Sequence, residues 1–216
     1  MLPMQDILRI QDKHENRIAD LEGIEIPFQS TIEEGVGGGQ GRTLIETKTP
    51  SGISSVTFAS IPQTFTHLDL RWIAQADGTS GFEDIFFEIN GNTTLGDYKW
   101  TLHEVIKNLG AGSDVHGLTG LIDSNMPAGF IPNSGNADVV ADEFGWGIAD
   151  FLFYTEPDIF KIALIRSGSF ISPELNIDFA EYASIVFDGA AITTIVFGAF
   201  NELFEAGTEV SLFGID

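Results

Sequence analysis

The sequence predicts a mainly β protein: an antiparallel β-sandwich of jelly-roll-like architecture that follows a short N-terminal α-helix and an extended arm. Two observations lead to this prediction. Apolar and polar residues alternate with period two in many short stretches after residue 53, and Gly, Asn or Pro separate these stretches. We therefore divide the 216 residues into a helix at 1–22, a Gly-rich arm at 23–52 and a β-sandwich domain at 53–216.

The N-terminal helix is predicted from apolar residues that recur at helical spacing between residues 4 and 22. Read as heptads, four of the six a and d positions are apolar, and polar residues at the other two can fix register and oligomeric state. We expect this helix to anchor the chain and to oligomerise it. A single amphipathic helix packed on its own domain is the alternative. The six positions are Met4, Ile7, Gln11, His14, Ile18 and Leu21.

The arm contains a glycine cluster between Gly35 and Gly41 that superficially resembles a phosphate-binding loop. Gln40 or Arg42 stands where G-x-G-x-x-G needs its third glycine, and no G-x-x-x-x-G-K-[ST] occurs in the chain. The cluster is therefore interpreted as a flexible linker with short extended pieces.

The strands of the sandwich are predicted from alternation and from the turns between them. Asn90-Gly91 is the strongest hairpin signal and closes one of these strands. Residues 108–147 are rich in Gly, Asn, Ser and Pro and are expected to form a long loop region with at most short strands. The predicted strands are 56–61, 67–74, 82–89, 97–107, 148–154, 160–166, 183–188, 191–198 and 208–215.

The charge is strongly negative, with 10 Lys and Arg against 32 Asp and Glu and a net charge of -22. This disfavours binding to nucleic acid or to an anionic membrane, since both need clustered bases. Residues 108–216 carry 16 acids and two bases, so the acidic exterior belongs to the later strands and loops. The N-terminal segment is closer to balanced, which makes it the expected docking element.

No catalytic motif is visible in the sequence. His103-Glu104 begins like H-E-x-x-H, but Lys107 stands where the second His should be. The nucleophile elbow G-x-S-x-G is absent, and no pattern selects a pair of carboxylates for glycoside hydrolysis. Cysteine is absent as well, which removes thiol nucleophiles and Cys-ligated metals. We therefore expect no enzyme, no cofactor and no metal site.

One loop could in principle hold Ca²⁺, because it contains many oxygen-bearing side chains. The calcium-loop spacing D-x-[DN]-x-[DN]-G is missing, so solvated acids are the favoured interpretation. The side chains are Asp123, Asn125, Asn136, Asp138, Asp142 and Glu143.

Three segments resemble β-sandwich domains of virion proteins from tailed bacteriophages. The first resembles their V-x-F-x-x-I-P-x-x-Y-x-x-L opening, with Phe65 in place of Tyr. The second resembles an L-x-F-N-G-D segment that leads to a Tyr, and the third resembles an ending in S-L-Y-G-I, with Phe213 in place of Tyr. The matching residues are Val56, Phe58, Ile61, Pro62 and Leu68, then Ile89, Asn90, Gly91 and Tyr98, then Ala191, Ile192, Ile195, Phe204, Gly207, Thr208, Ser211, Leu212, Gly214 and Ile215.

The resemblance implies a fold and a virion context but no catalytic site. We expect a non-enzymatic structural component of a bacteriophage virion, made in the host cytoplasm and present as a homotrimer. It would contact other capsid or tail proteins, with head decoration or spike favoured over tail. The alternative is a tail-associated module that recognises host-surface glycan through Trp100, Trp146 and Tyr154. Packing in the core is the favoured role for these three side chains.

Overall fold

The structure is a computed structural model that describes residues 41–94, 97–108, 112–123, 125–135, 143–171, 176–186 and 189–216. Within these ranges the chain forms twelve β-strands and no helix, which confirms the mainly β class. The strands are β1 (Arg42–Lys48), β2 (Ser55–Ala59), β3 (His67–Ala74), β4 (Phe82–Ile89), β5 (Tyr98–Asn108), β6 (Gly112–Asp123), β7 (Met126–Pro132), β8 (Gly145–Leu152), β9 (Lys161–Ile171), β10 (Asn176–Val186), β11 (Thr194–Ala199) and β12 (Glu209–Ile215).

The strands form two antiparallel sheets. The large sheet has eight strands in the order β1-β12-β3-β8-β9-β10-β5-β6, and the small sheet has four in the order β2-β11-β4-β7. From β1 to β4 successive strands alternate between the two sheets, and the chain changes sheet again between β11 and β12. Strands that alternate in this way place one apolar face of each sheet against the other.

The core between the sheets is built around aromatic rings. Phe87 of the small sheet contacts Trp72 and Phe151 of the large sheet, with ring centroids 5.7 and 5.4 Å apart. Phe197 of β11 lies beside it at 5.6 Å. Each of these rings is almost fully buried, and burial of one such side chain stabilises the fold by about 1.5–3 kcal/mol.

The three segments that carry the family resemblance meet in the fold. The ring of Phe65, from the first segment, covers Gly214 of the third, where a Cβ would overlap it. The side chain of Asn90, from the second segment, donates to Ala191 O and accepts from the N–H groups of Thr193 and Thr194, at 2.9, 2.9 and 3.2 Å. The first and second segments, far from the third in the sequence, therefore both contact it in the fold.

The Asn90-Gly91 turn has the backbone conformation that its sequence predicts, with φ of 54° and 69°. The hairpin prediction is nevertheless wrong, because β4 pairs with β11 and β7 while the next strand, β5, belongs to the large sheet. The turn instead leads the chain from one sheet to the other. The hydroxyl of Tyr98 supports it by accepting from Ile89 N–H at 3.0 Å and donating to Asn92 O at 2.8 Å.

The long loop predicted over 108–147 is wrong where β6 and β7 form. β6 is rich in Gly and polar residues, yet it pairs with β5 from Asn108↔Gly112 to Tyr98↔Asp123. Pairing with a neighbour thus overrides weak local propensity. β7 contains two prolines but lies at the edge of the small sheet, where a missing N–H is tolerated.

The predicted helix at 1–22 and most of the arm at 23–52 lie outside the described residues. The end of the arm is described, and it forms β1, which pairs with β12 at the edge of the large sheet. Leu44 of β1 is exposed, and the alternation of apolar residues is weak there. This explains why no strand is predicted at that position.

Four strands extend the large sheet beyond β8, in the order β9-β10-β5-β6. We call these four strands the extension. β7, the edge strand of the small sheet, packs against β9 and β10 of the extension and more lightly against β5. The candidate site described next lies beside this contact.

Candidate functional site

Tyr154 is a core residue and not a surface contact. Its side chain is fully buried, and its hydroxyl donates to Pro62 O at 2.5 Å and accepts from Phe65 N–H at 3.2 Å. Burial raises the pKa of this hydroxyl above its usual value. Of the three predicted glycan contacts, Tyr154 therefore has a structural role, because its hydroxyl holds the loop after β2.

Trp146 lies on the outer face of the large sheet and is 46% exposed. Its ring covers Gly168 of β9 and contacts the ring of Phe179 of β10, with centroids 6.4 Å apart. Together with Arg71 and Ile73 of β3 it borders a shallow depression of about 310 Å³. The side chain is therefore available to a partner but has little enclosure around it.

Trp100 lies on the opposite face of the same sheet. It is half-buried, packs against the core and contacts Tyr182 of β10, with ring centroids 6.3 Å apart. The structure therefore does not bring Trp100, Trp146 and Tyr154 together. Of the three, Trp100 lines an open cavity that also contains other aromatic and polar side chains.

This cavity, which we call the cleft, has a volume of about 460 Å³. It lies between strands β5 and β10 of the extension and strands β4 and β7 of the small sheet, and the chain just after β11 completes it. Its lining residues are Asp84, Ile85, Trp100, Leu102, Pro127, Gly129, Phe130, Tyr182, Phe200 and Asn201.

The cleft has an apolar floor and a mixed rim. Ile85, Leu102 and Tyr182 are buried at its base, whereas Asp84 and Phe200 are exposed at its mouth. Partial burial of the Asp84 carboxyl raises its pKa above the usual 3.8. A carboxylate that is partly removed from water, beside an aromatic ring, is well placed to receive a hydrogen bond from a ligand.

Backbone and side-chain contacts hold the rim in place. The carboxylate of Glu83 accepts from Asn201 N–H at 2.5 Å, and Phe200 N–H donates to Asp84 O at 3.1 Å. The ring of Phe200 packs on Phe86, with centroids 4.8 Å apart. The segment after β11 is thus fastened to β4, so the positions of Phe200 and Asn201 are set before any ligand arrives.

A second, more open groove of about 530 Å³ lies on the outer face of the large sheet. Asp150 and Arg166 face each other there at 3.8 Å, and Glu181 of β10 lies beside them. Exposed ion pairs of this kind contribute little to stability, and the groove offers fewer aromatic faces than the cleft does.

A buried carboxylate lies next to this groove. Asp69 of β3 is fully buried under Arg42 and Arg71, at 2.8 and 3.2 Å, and it lies opposite Asp150 of β8 in the strand register. The pKa of Asp150 is raised, first by burial and then by the negative charge of Asp69, while Arg166 lowers it. The acids of this cluster, Asp69 and Asp150, are offset by its three arginines, and we assign the cluster a structural role on the outer face.

Several candidates from the sequence receive no site in the structure. Met4, Ile7, Gln11, His14, Ile18 and Leu21 of the predicted helix lie outside the described residues, as do Asn136, Asp138 and Asp142 of the predicted calcium loop. Among the residues that the structure does describe, no group of three or more His, Asp or Glu side chains could hold a metal ion. In the same part of the chain no helix is long and apolar enough to cross a membrane.

The sequence does not predict most residues of the cleft. It indicates Trp100 because this residue is aromatic, but Asp84, Phe130, Phe200 and Asn201 come from three other places along the chain. Only the pairing of β10 with β5 creates the wall opposite them. The one local signal is Phe200 itself, a large apolar residue that directly follows a buried strand and is followed by polar residues.

Comparison with protein-family models, with curated proteins and with solved structures finds no match to this chain.

Proposed function

We propose that this chain is a non-enzymatic structural component of a bacteriophage virion. Its N-terminal segment anchors it to other capsid or tail proteins, and its β-sandwich is exposed on the particle. We favour a head decoration or spike protein that assembles as a homotrimer. The proposal starts from the three resembling segments, which occupy core and turn positions and contact one another.

The strand order is the observation that carries the proposal furthest. When β5, β6, β9 and β10 are set aside, the sheets keep the orders β1-β12-β3-β8 and β2-β11-β4-β7. This order is the one expected of a jelly roll, an architecture that recurs in viral capsid domains and in lectins. The step from fold to virion is an analogy at the level of architecture, and the family resemblance in the sequence supports it independently.

The distribution of charge supports an exposed sandwich with a separate anchor. Residues 108–216 carry 16 acids and two bases, so this part of the surface repels other copies and other acidic proteins. Residues 1–22, which contain the predicted amphipathic helix, carry five acids and three bases and are closer to balanced in charge. Docking through that segment avoids bringing acidic surfaces together.

Co-sedimentation with particles tests this proposal. The full chain and a chain that lacks residues 1–22, each carrying the same epitope tag, are produced in infected host cells, and the particles are purified on a density gradient. We expect the full chain in the particle band and the truncated chain in the soluble fraction. Equal incorporation of both would refute the anchoring role, and absence of the full chain from particles would refute the virion role.

A second role, recognition of a host-surface glycan, is favoured by one observation. Trp100 lines an open cleft together with further aromatic side chains and a carboxylate. A structural role and a recognition role are compatible, since a domain exposed on a particle can also contact the host.

A further inference from the structure

We infer that the cleft between the extension and the small sheet is a binding site for a neutral saccharide. This inference rests on the second role proposed above and specifies its site and ligand class. It assigns recognition to Trp100, Phe130, Phe200, Asp84 and Asn201, and it excludes Trp146 and Tyr154 from the site.

The aromatic side chains supply the first requirement of a sugar site. Trp100 and Phe130 are half-buried in the walls of the cleft, and Phe200 is 44% exposed at its mouth. The C–H-rich face of a pyranose ring is apolar and packs on aromatic faces. The free energy of binding is favourable because both apolar surfaces are removed from water. Trp100, Phe130 and Phe200 thus place three aromatic side chains around one cavity.

The polar side chains supply the second requirement. Asp84 and Asn201 line the cleft together with the aromatic residues. A carboxylate accepts hydrogen bonds, and an amide both donates and accepts them, which matches the hydroxyl groups around the edge of a sugar. A lipid tail would leave these polar groups unsatisfied inside a buried interface, so the lining favours a saccharide over an apolar ligand.

Charge selects the class of saccharide. The lining contains one carboxylate and no Lys or Arg, and the whole chain has a net charge of -22. An anionic sugar would meet a like charge in a partly desolvated site with no base to neutralise it. The expected ligand therefore carries hydroxyl or acetamido groups but no carboxylate, sulfate or phosphate.

The size and rigidity of the cleft fit a small ligand. Its volume of about 460 Å³ falls within the range of small-molecule sites, about 300–1,000 Å³. The rim is fixed in advance by the Glu83–Asn201 and Phe200–Asp84 hydrogen bonds. A site organised before binding loses less entropy when the ligand is ordered.

Saturation-transfer NMR and calorimetry on the full chain test the inference. The probes are neutral oligosaccharides of glucose, galactose and N-acetylglucosamine, with sialyllactose and oligogalacturonate as the anionic set. We expect binding to at least one neutral probe and none to the anionic set. Phe200→Ala is expected to weaken that binding about tenfold, because loss of one aromatic contact costs about 1.4 kcal/mol, which corresponds to a factor of ten.

Phe160→Ala is the matched control, since Phe160 is also exposed but lies in the connection between β8 and β9 and does not line the cleft. It should leave the affinity unchanged. Binding of anionic probes alone, or binding that is lost on Trp146→Ala and kept on Phe200→Ala, would overturn the cleft assignment but leave glycan recognition standing. Binding to no saccharide would overturn both, while particle incorporation, measured separately, would still decide the virion role.

Discussion

Asp84 is the residue whose protonation should control saccharide binding. Burial raises the pKa of its carboxyl above 3.8, so the group takes up a proton at a higher pH than an ordinary Asp does. The ionised form accepts hydrogen bonds more strongly than the protonated form. A ligand held by this group therefore binds best when the carboxyl is ionised.

We predict that the affinity for the neutral saccharide falls as the pH is lowered through the raised pKa of Asp84. Calorimetric titrations over a series of acidic buffers measure this dependence. Asp84→Asn should bind more weakly at neutral pH and should lose most of the pH dependence, because it has no proton to take up. A variant that keeps the pH profile of the natural chain would show that another group is responsible.

Asp150 reports on the charge cluster of the outer face. Its pKa is raised by burial and by the nearby charge of Asp69, and it is lowered by Arg166. We predict that Asp69→Asn lowers the pKa of Asp150 and that Arg166→Gln raises it, as measured by carboxyl ¹³C NMR titration. Shifts of the same sign in both variants would contradict the proposed balance of charges.

At the level of elements, the Trp72 ring requires a glycine at position 147 of β8. Gly147 lies on the inner face of β8, and the ring of Trp72 from β3 lies directly over it, so that a Cβ there would overlap the ring. On the outer face of the adjoining strand, Gly168 lies under Trp146, where a Cβ would be 3.0 Å from the ring. Trp72 is enclosed in the core, whereas Trp146 is free to shift into solvent.

We predict that Gly147→Ala lowers the free energy of unfolding by about 1–3 kcal/mol, since overpacking forces Trp72 away from its place in the core. Urea denaturation measures the change. Gly168→Ala is the matched control and should cost clearly less, because the half-exposed Trp146 can rotate. Equal losses in the two variants would mean that strand geometry, and not the Trp72 ring, sets the cost.

The elements differ in how well the sequence predicts them. Strands with one face in the core, such as β3 and β4, carry the period-two alternation that defines a half-buried strand. β1, β6 and β7 lack it, because two of them carry few apolar residues and the third contains two prolines. Their place in the sheets depends on partners distant in sequence, and local composition does not record such pairing.

The candidate site shows the same limit. Trp100 could be selected from the sequence because it is a large aromatic residue in a predicted strand. Asp84 and Phe200 could not, since neither stands in a recognisable motif and both become part of a site only when β5 pairs with β10. A cavity between sheets is a property of the assembled topology, so residue type alone did not separate Trp100 from the fully buried Tyr154.

At the level of the whole molecule, the sandwich should fold without residues 1–22, where the sequence predicts a helix. The described strands bury a continuous apolar core between the two sheets, and the first of them begins at Arg42. We predict that removal of residues 1–22 leaves the urea midpoint of the sandwich unchanged but converts the proposed homotrimer to a monomer. Light scattering coupled to size-exclusion chromatography measures the mass. A truncated chain that is still trimeric would place the self-association surface on the sandwich.

The position of the chain in the particle tests the central claim most directly. Cryo-electron microscopy of purified particles would locate density that fits the two sheets. The account predicts that this density projects from the outside of the particle, with residue 41 on the side that faces the shell or tail. Particles in which no such density is found, and from which mass spectrometry recovers none of this chain, would contradict the account.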